Sequence, residues 1–214
     1  MKIGLFGYGK MGKMVERLAA GRGHQVVARI DGPTKNIPFD QMDVAIDFSQ
    51  PESAVENISQ CLRNGVPVIS GTTGWLAEFD QVTELCQAED GAFLYASNFS
   101  LGVNLFFELN RHLAKLMSRV PGYSISLAEG IIAESDYQDW TLDKEAPGSV
   151  PIISERTKDV PGTHRIAYES EVDRIEIEHT AHNREGFAQG ALLAAEWIVG
   201  KKGVYEMKDV LNLR

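Results

Sequence analysis

The segment KIGLFGYGKMGKMVERLAAG (Lys2 to Gly21) constrains this chain more than any other. A short apolar run closes on glycine. Met11, Met14, Val15 and Leu18 then follow at helical spacing, with Gly21 and Gly23 to stop the helix. A strand that turns over glycine straight into a helix opens a β-α-β unit, and the pattern repeats. Further strands are predicted over His24 to Asp31, Asp43 to Phe48, Val66 to Gly71 and Ala92 to Ser97. Helices are predicted from Pro51 to about Gly65 and around Phe79 to Cys86. Such alternation implies a parallel sheet covered by helices on both faces.

The character changes after Asn98. Val103, Phe106, Leu109, Leu113 and Met117 mark a long amphipathic helix. Beyond Pro151 the period becomes two: RIAYES and VDRIEIEHTAH read as an antiparallel pair joined near Glu171. Ile175 and Ile177 alternate with Arg174, Glu176 and Glu178, the pattern of a half-exposed face offered for self-association. A last helix, about Glu185 to Val199, is rich in alanine and leucine and is expected to return to the first domain. Between the halves lies GYSISLAEGIIAES (Gly122 to Ser135). There YSIS reads as a strand and LAEGIIAES as a helix, with almost no connection, although Ser126 and Glu129 form a capping-box pattern.

With 214 residues, 43% hydrophobic and 24% charged, the chain has enough apolar material for a packed core. A net charge of −9, a pI near 5.1 and the lack of any basic run argue against nucleic acid or an anionic membrane as partner. A small anionic ligand remains compatible. Cys61 and Cys86 sit in helical patterns without metal-like spacing, and the chain enters a strand at once. Both features point to a reducing, cytoplasmic setting. No apolar run approaches the roughly 20 residues that span a bilayer.

GYGKMG fits G-x-G-x-x-G in the required place, after a strand and opening a helix, with Asp31 ending the next strand. Gly7 allows the tight turn, Gly9 a close approach of backbone to a pyrophosphate, and Gly12 close helix–strand packing. The helix N-terminus offers N–H groups to phosphates, and Asp31 can accept the ribose hydroxyls. Asp31 followed by Gly32 favours NADH, because a carboxylate repels a 2′-phosphate and no arginine follows to receive it. Arg29 and Lys35 are near enough in sequence to soften that preference. GTTG (Gly71 to Gly74) follows another strand. It can hold a carboxamide or carboxylate, or be a polar turn that caps the next helix. In YASNFSLGVN, Asn98 and Phe99 are placed to touch a nicotinamide ring, or Asn98 caps the long helix. DFSQPE (Asp47 to Glu52) reads as structural. His24 and His112 read as incidental, and His164, His179 and His182 as hydrogen-bonded structural histidines. No metal site is expected.

The ordered blocks GYGKMG, DFSQPESAVEN, GVPVISGTTGW, YASNFSLGVNLFF and VPGTHRIAYESEVDRIEIEHTAHNREGFAQGALLAAEW resemble the 4-hydroxy-tetrahydrodipicolinate reductases, or dihydrodipicolinate reductases, of lysine and diaminopimelate synthesis. The resemblance covers nearly the whole chain. It implies an α/β fold: a Rossmann-type parallel-sheet domain from residues 1–98 and 184–214, and a smaller α+β mixed-sheet domain from 99–183 that binds substrate and builds a homotetramer. It implies reduction of a cyclic unsaturated dicarboxylate by NADH or NADPH. The matching cofactor positions are Gly7, Tyr8, Gly9, Lys10, Met11, Gly12, Asp31, Gly71, Thr72, Thr73, Ala96, Ser97, Asn98 and Phe99.

The resemblance also implies an acid–base and carboxylate-binding signature, E-x-H-H-x-x-K-x-D-A-P-S-G-T-A, directly after the strand at Tyr123 to Ser126. No His-His-x-x-Lys occurs anywhere in this sequence, and Leu127 onward matches the helix beyond the signature. The catalytic residues are therefore unknown. The flanking blocks are intact and long functional loops are often mobile, so the favoured reading is an active reductase whose full polypeptide holds the segment. The alternative is a catalytically silent NADH-binding homologue. Another oxidoreductase with Lys144 or His182 as acid–base group is a third reading, against which GTTG and SNFSLGVN argue.

Overall fold

The computed structural model describes residues 1–128, 139–141, 149–153 and 162–213. The chain forms two compact units, 1–101 with 185–214, and 102–184.

The first unit begins with β1 (Lys2–Phe6), α1 (Lys10–Gly21), β2 (Gln25–Ile30), β3 (Val44–Asp47), α2 (Pro51–Arg63), β4 (Val68–Ser70), α3 (Phe79–Ala88) and β5 (Ala92–Tyr95). Its sheet is parallel throughout and is completed by β11 (Gly203–Tyr205), in the order β11-β5-β4-β3-β1-β2. Alternate residues feed two cores. Ile3, Leu5, Val44, Ile46 and Leu94 face one side, packed with Val15 of α1 and with Leu192, Ala195 and Ile198 of α5 (Glu185–Ile198). Phe6, Ala45, Val68 and Phe93 face the other, against Ile58 and Leu62 of α2 and Val82 of α3. Burial on both faces explains why these strands read as continuous apolar runs. β11 and the short α6 (Met207–Val210) left no periodic signal, because three or four residues cannot show one.

The second unit holds most of α4 (Leu101–Met117), then β6 (Ser124–Ala128), β7 (Asp139–Thr141), β8 (Ser149–Ile153), β9 (Thr163–Glu169) and β10 (Arg174–Thr180). The sheet order is β10-β9-β6-β8-β7, antiparallel across β10-β9-β6 and parallel across β6-β8-β7. Ile166 and Tyr168 are buried with Phe106 and Ala114 of α4, and the Tyr168 hydroxyl meets Asn110 Oδ1 at 3.1 Å. The opposite face carries charge, with Arg165 on Glu178 at 2.7 Å and Arg174 on Glu169 at 3.2 Å.

The structure corrects one expectation at the join. Leu127 and Ala128 do not begin a helix. They extend β6, opposite Ile166 and Arg165 on one side and Ile152 and Ile153 on the other. Backbone pairing to two neighbours outweighs a local capping pattern. The rest of that expected helix, 129–135, and Lys144 lie outside the described residues.

Candidate functional site

The turns singled out in the sequence share one edge of the parallel sheet. Each strand's ladder continues one residue past its carboxyl end: Gly7 N–H donates to Ile30 O (2.7 Å), Phe48 N–H to Phe6 O (2.8 Å), Gly71 N–H to Asp47 O (2.9 Å), and Ala96 N–H to Ser70 O (3.1 Å). Asp31, GYGKMG, DFSQ, GTTG and the ASNF turn are thereby set in a row, where ligands of open α/β sheets bind.

At the β1–β2 end lies a cleft of about 720 Å³ lined by Gly7, Gly9, Asp31, Lys35, Phe48, Ser49, Gln50 and Asn57 among others. Gly7 has φ +88°, and a side chain there would strike the Phe48 carbonyl. A Cβ on Gly12 would collide with the Gly7 carbonyl, so α1 crosses β1 at backbone contact. A Cβ on Gly9 would meet nothing within 4 Å: the space above it is open to a ligand. The first turn of α1 has no side-chain cap and no acidic residue, leaving its positive end for an anion. These residues fit a dinucleotide pyrophosphate.

Asp31 is exposed, and its Oδ1 accepts the Tyr8 N–H at 3.2 Å, which ties the carboxylate to the glycine turn. Arg29 is engaged elsewhere. Its guanidinium lies over the Tyr8 ring, 5.7 Å from the centroid, and pairs with Glu16, which also receives the Tyr8 hydroxyl. Arg29 first, and Tyr8 second, hold the Glu16 carboxyl below its usual range.

The GTTG turn is pinned from within. Thr72 is 5% exposed. Its hydroxyl donates to Asp47 Oδ2 (2.7 Å) and accepts the Ser49 N–H (2.9 Å). Its N–H reaches Ser70 Oγ (3.3 Å), and its carbonyl takes the Trp75 Nε1–H (2.7 Å). Every polar group of Thr72 is thus engaged within the protein, and Gly71 and Thr73 are better placed to meet a ligand. Asp47, which the sequence reading treated as structural with the rest of DFSQPE, organises this corner, while Phe48, Ser49 and Gln50 line the cleft. A buried acid at the carboxyl end of a central strand was the available signal.

At the β5 turn, Ser97 is exposed, and Asn98 accepts the Ser100 N–H on Oδ1 (2.8 Å) ahead of α4. Phe99 is 2% exposed. Its ring meets Phe48 edge-on at 5.8 Å, and its carbonyl packs against Gly190 of α5 so closely that no Cβ would fit there. Its side chain supports Phe48, which is the ring the cleft sees.

His24, read as incidental, ties the start of β2 to α5 through Glu196 at 2.7 Å. His179 departs from its expectation: its Nδ1 is buried without a hydrogen-bond partner among the described residues. Burial, and secondly the neighbouring His164, hold its pKa below the usual value.

Two family models match the chain, one described as dihydrodipicolinate reductase, N-terminus, over residues 1–99, and one as its C-terminus, over residues 121–211. A 4-hydroxy-tetrahydrodipicolinate reductase of Christiangramia forsetii is 44% identical and covers 99% of this chain and 98% of its own length. That alignment spans 234 positions against the 214 residues here, so the relative carries residues this chain lacks. A namesake from Neisseria meningitidis serogroup C is 32% identical over 81% of this chain and 74% of its own. Among solved structures, a dipicolinate-bound dihydrodipicolinate reductase from Paenisporosarcina sp. TG-14 shares the fold at 18% identity with a TM-score of 0.72, covering 98% of each chain. A probable dehydrogenase from Thermotoga maritima follows at 12% and 0.57, covering 98% of this chain and 92% of its own. Matched in order along both halves, the chain belongs to the dihydrodipicolinate reductase family.

Proposed function

We propose that this chain binds NADH in preference to NADPH and serves the reduction of 4-hydroxy-tetrahydrodipicolinate to tetrahydrodipicolinate, in lysine and diaminopimelate biosynthesis. The observation that carries this is the row of strand-end turns on one sheet edge, in a chain that matches the family over both halves. The GYGKMG amides hold the pyrophosphate, Asp31 the ribose hydroxyls, and Gly71 and Thr73 with Ala96 to Asn98 the nicotinamide half, with Thr72 and Phe99 supporting them from within. A bound reduced pyridine nucleotide supplies the hydride. The chain's part is to orient that ligand, exclude water and place the dicarboxylate against it. The first unit (1–98 with 184–214 in the sequence reading) is the dinucleotide domain, and 99–183 the substrate and assembly domain of a cytoplasmic homotetramer.

NADH is favoured because Asp31 would lie against a 2′-phosphate and Arg29 is held by Glu16. Lys35, on the cleft wall, works the other way. A second reading, an NADH-binding homologue without turnover, is favoured by the lack of any His-His-x-x-Lys and by the relative's additional residues. Titration with each reduced nucleotide, then a reductase assay on the same sample, tests both. Absent binding overturns the dinucleotide site. Binding without turnover selects the second reading, and tighter NADPH binding overturns the preference.

A further inference from the structure

Asp47 is fully buried at the end of β3. One oxygen accepts from Ser49 Oγ at 2.6 Å and Asn57 Nδ2 at 3.4 Å, the other from Ser70 Oγ and Thr72 Oγ1 at 2.7 Å each. The bonds behind these hydroxyls suit donation to Asp47. Thr72 Oγ1 accepts the Ser49 N–H, Ser70 Oγ accepts the Thr72 N–H, and Ser49 Oγ accepts the Asn57 amide at 3.1 Å. Each hydroxyl accepts an N–H on one of its two lone pairs and has its own proton free to donate to Asp47. Only an ionised carboxylate accepts from all of them, since a protonated acid would present a proton of its own. Burial acts against that charge and pushes the Asp47 carboxyl up despite the four hydrogen bonds. An acid buried among four hydrogen-bond partners, between two turns of the ligand edge, points to a role beyond stability.

We propose that Asp47 is the positioning residue of the dinucleotide edge: by orienting the Ser49, Ser70 and Thr72 hydroxyls it fixes the turn after β4, against which the nicotinamide half of the cofactor rests, and braces the turn after β3 behind it. This deepens the dinucleotide reading and rests on it. Asp47 touches no ligand and acts through Thr72 and Ser49. The adenosine half rests on Gly9 and Asp31, which Asp47 does not contact.

The test compares the full chain with Asp47→Asn and Thr72→Val. It measures NADH and 5′-AMP dissociation constants and the thermal midpoint. The Asp47→Asn change keeps the shape but turns an N–H toward a hydroxyl that also donates, the kind of unsatisfied pairing that costs about tenfold in binding. The expected result is NADH affinity lower by about tenfold or more, with 5′-AMP affinity within about threefold and a midpoint that falls but leaves the protein folded at the assay temperature. Thr72→Val should show the same split, and the double variant should be no worse than either alone, because the two act as one unit. NADH binding unchanged in a folded Asp47→Asn protein overturns the proposal, as do equal losses of NADH and 5′-AMP. If Asp47→Asn does not fold, Thr72→Val decides by the same criterion. A wild-type chain that fails to bind NADH overturns the dinucleotide reading and this proposal with it.

Discussion

The two sheets treat polar groups in opposite ways. At the carboxyl edge of the parallel sheet, Asp47 is buried with every acceptor site filled, and the turns it holds are fixed by bonds of 2.6 to 3.4 Å. On the antiparallel β9–β10 ribbon, Arg165, Arg174, Glu169, Glu176 and Glu178 lie exposed in a charged row, while beneath it the buried Nδ1 of His179 has no partner among the described residues. The first arrangement costs desolvation and returns a rigid geometry. The second costs little and holds register loosely, since exposed pairs contribute about 0–1 kcal/mol. Among the described residues, a buried polar network lies at the sheet edge proposed for the cofactor, and the sequence holds no His-His-x-x-Lys.

The largest expected effect comes from supplying that motif. On the second reading a chain made to this sequence binds NADH and turns over negligibly, whereas on the leading reading it is an active reductase. On the second reading, insertion of the E-x-H-H-x-x-K-x-D-A-P-S-G-T-A segment that the resemblance implies at the end of β6, after Ala128, should raise turnover by at least the roughly 10²–10⁴-fold of general acid–base catalysis. NADH affinity should hold. Steady-state assays of both proteins decide, and normal turnover without the segment would redirect attention to Lys144, His164 and His182.

Next come the glycines of the rigid edge, which should separate stability from binding. Gly12→Ala drives a methyl into the Gly7 carbonyl, an overpacking that costs about 1–3 kcal/mol and should lower the thermal midpoint. Gly9→Ala adds its methyl to open space, so the midpoint of the free protein should hold while NADH affinity falls. Calorimetry with and without NADH reads both, and a Gly9→Ala protein that binds NADH normally would place the pyrophosphate elsewhere.

A smaller effect is expected in cofactor choice. Glu16→Gln should release Arg29 and narrow the preference for NADH by a few-fold, and Asp31→Ala should narrow it from the other side. The ratio of the two dissociation constants is the measurement. A ratio unmoved by Glu16→Gln would show that Arg29 plays no part.

The second unit should respond to acid. A histidine whose folded pKa is depressed adds stability above its unfolded value, near 6.5, and that stability is lost as pH falls through the folded value. The thermal midpoint should therefore fall between about pH 7.5 and 5, and less steeply in His179→Gln. The smallest effect belongs to the exposed row. Arg174→Ala should move the midpoint by no more than about 2 °C. A large loss there would erase the contrast between the two sheets.

Much of the fold was legible in the residues. Glycine-closed apolar runs alternating with helical spacing marked β1 to β5, and the two-residue period of RIEIEH marked the antiparallel pair. Leu127 and Ala128 were not legible as strand, because their conformation follows from partners at Ile152 and Ile166, far away in sequence. The site was legible where a local conformation carries it, as in GYGKMG. It was not legible where side chains from separate strands converge, as with Ser70 and Thr72 on Asp47.

By itself the sequence determined the parallel sheet, the glycine turn that needs φ +88° at Gly7, the acid at Asp31 and the lack of any His-His-x-x-Lys. Those are properties of neighbouring residues, and periodicity or a short motif records them. Only the tertiary structure decided that Arg29 belongs to Glu16, that Thr72 is spent on Asp47, and that Phe99 supports a neighbouring ring instead of facing the cleft itself. Each depends on groups brought together by the register of parallel strands and the packing of helices on them. A one-dimensional pattern does not encode which distant donor a given acceptor will meet.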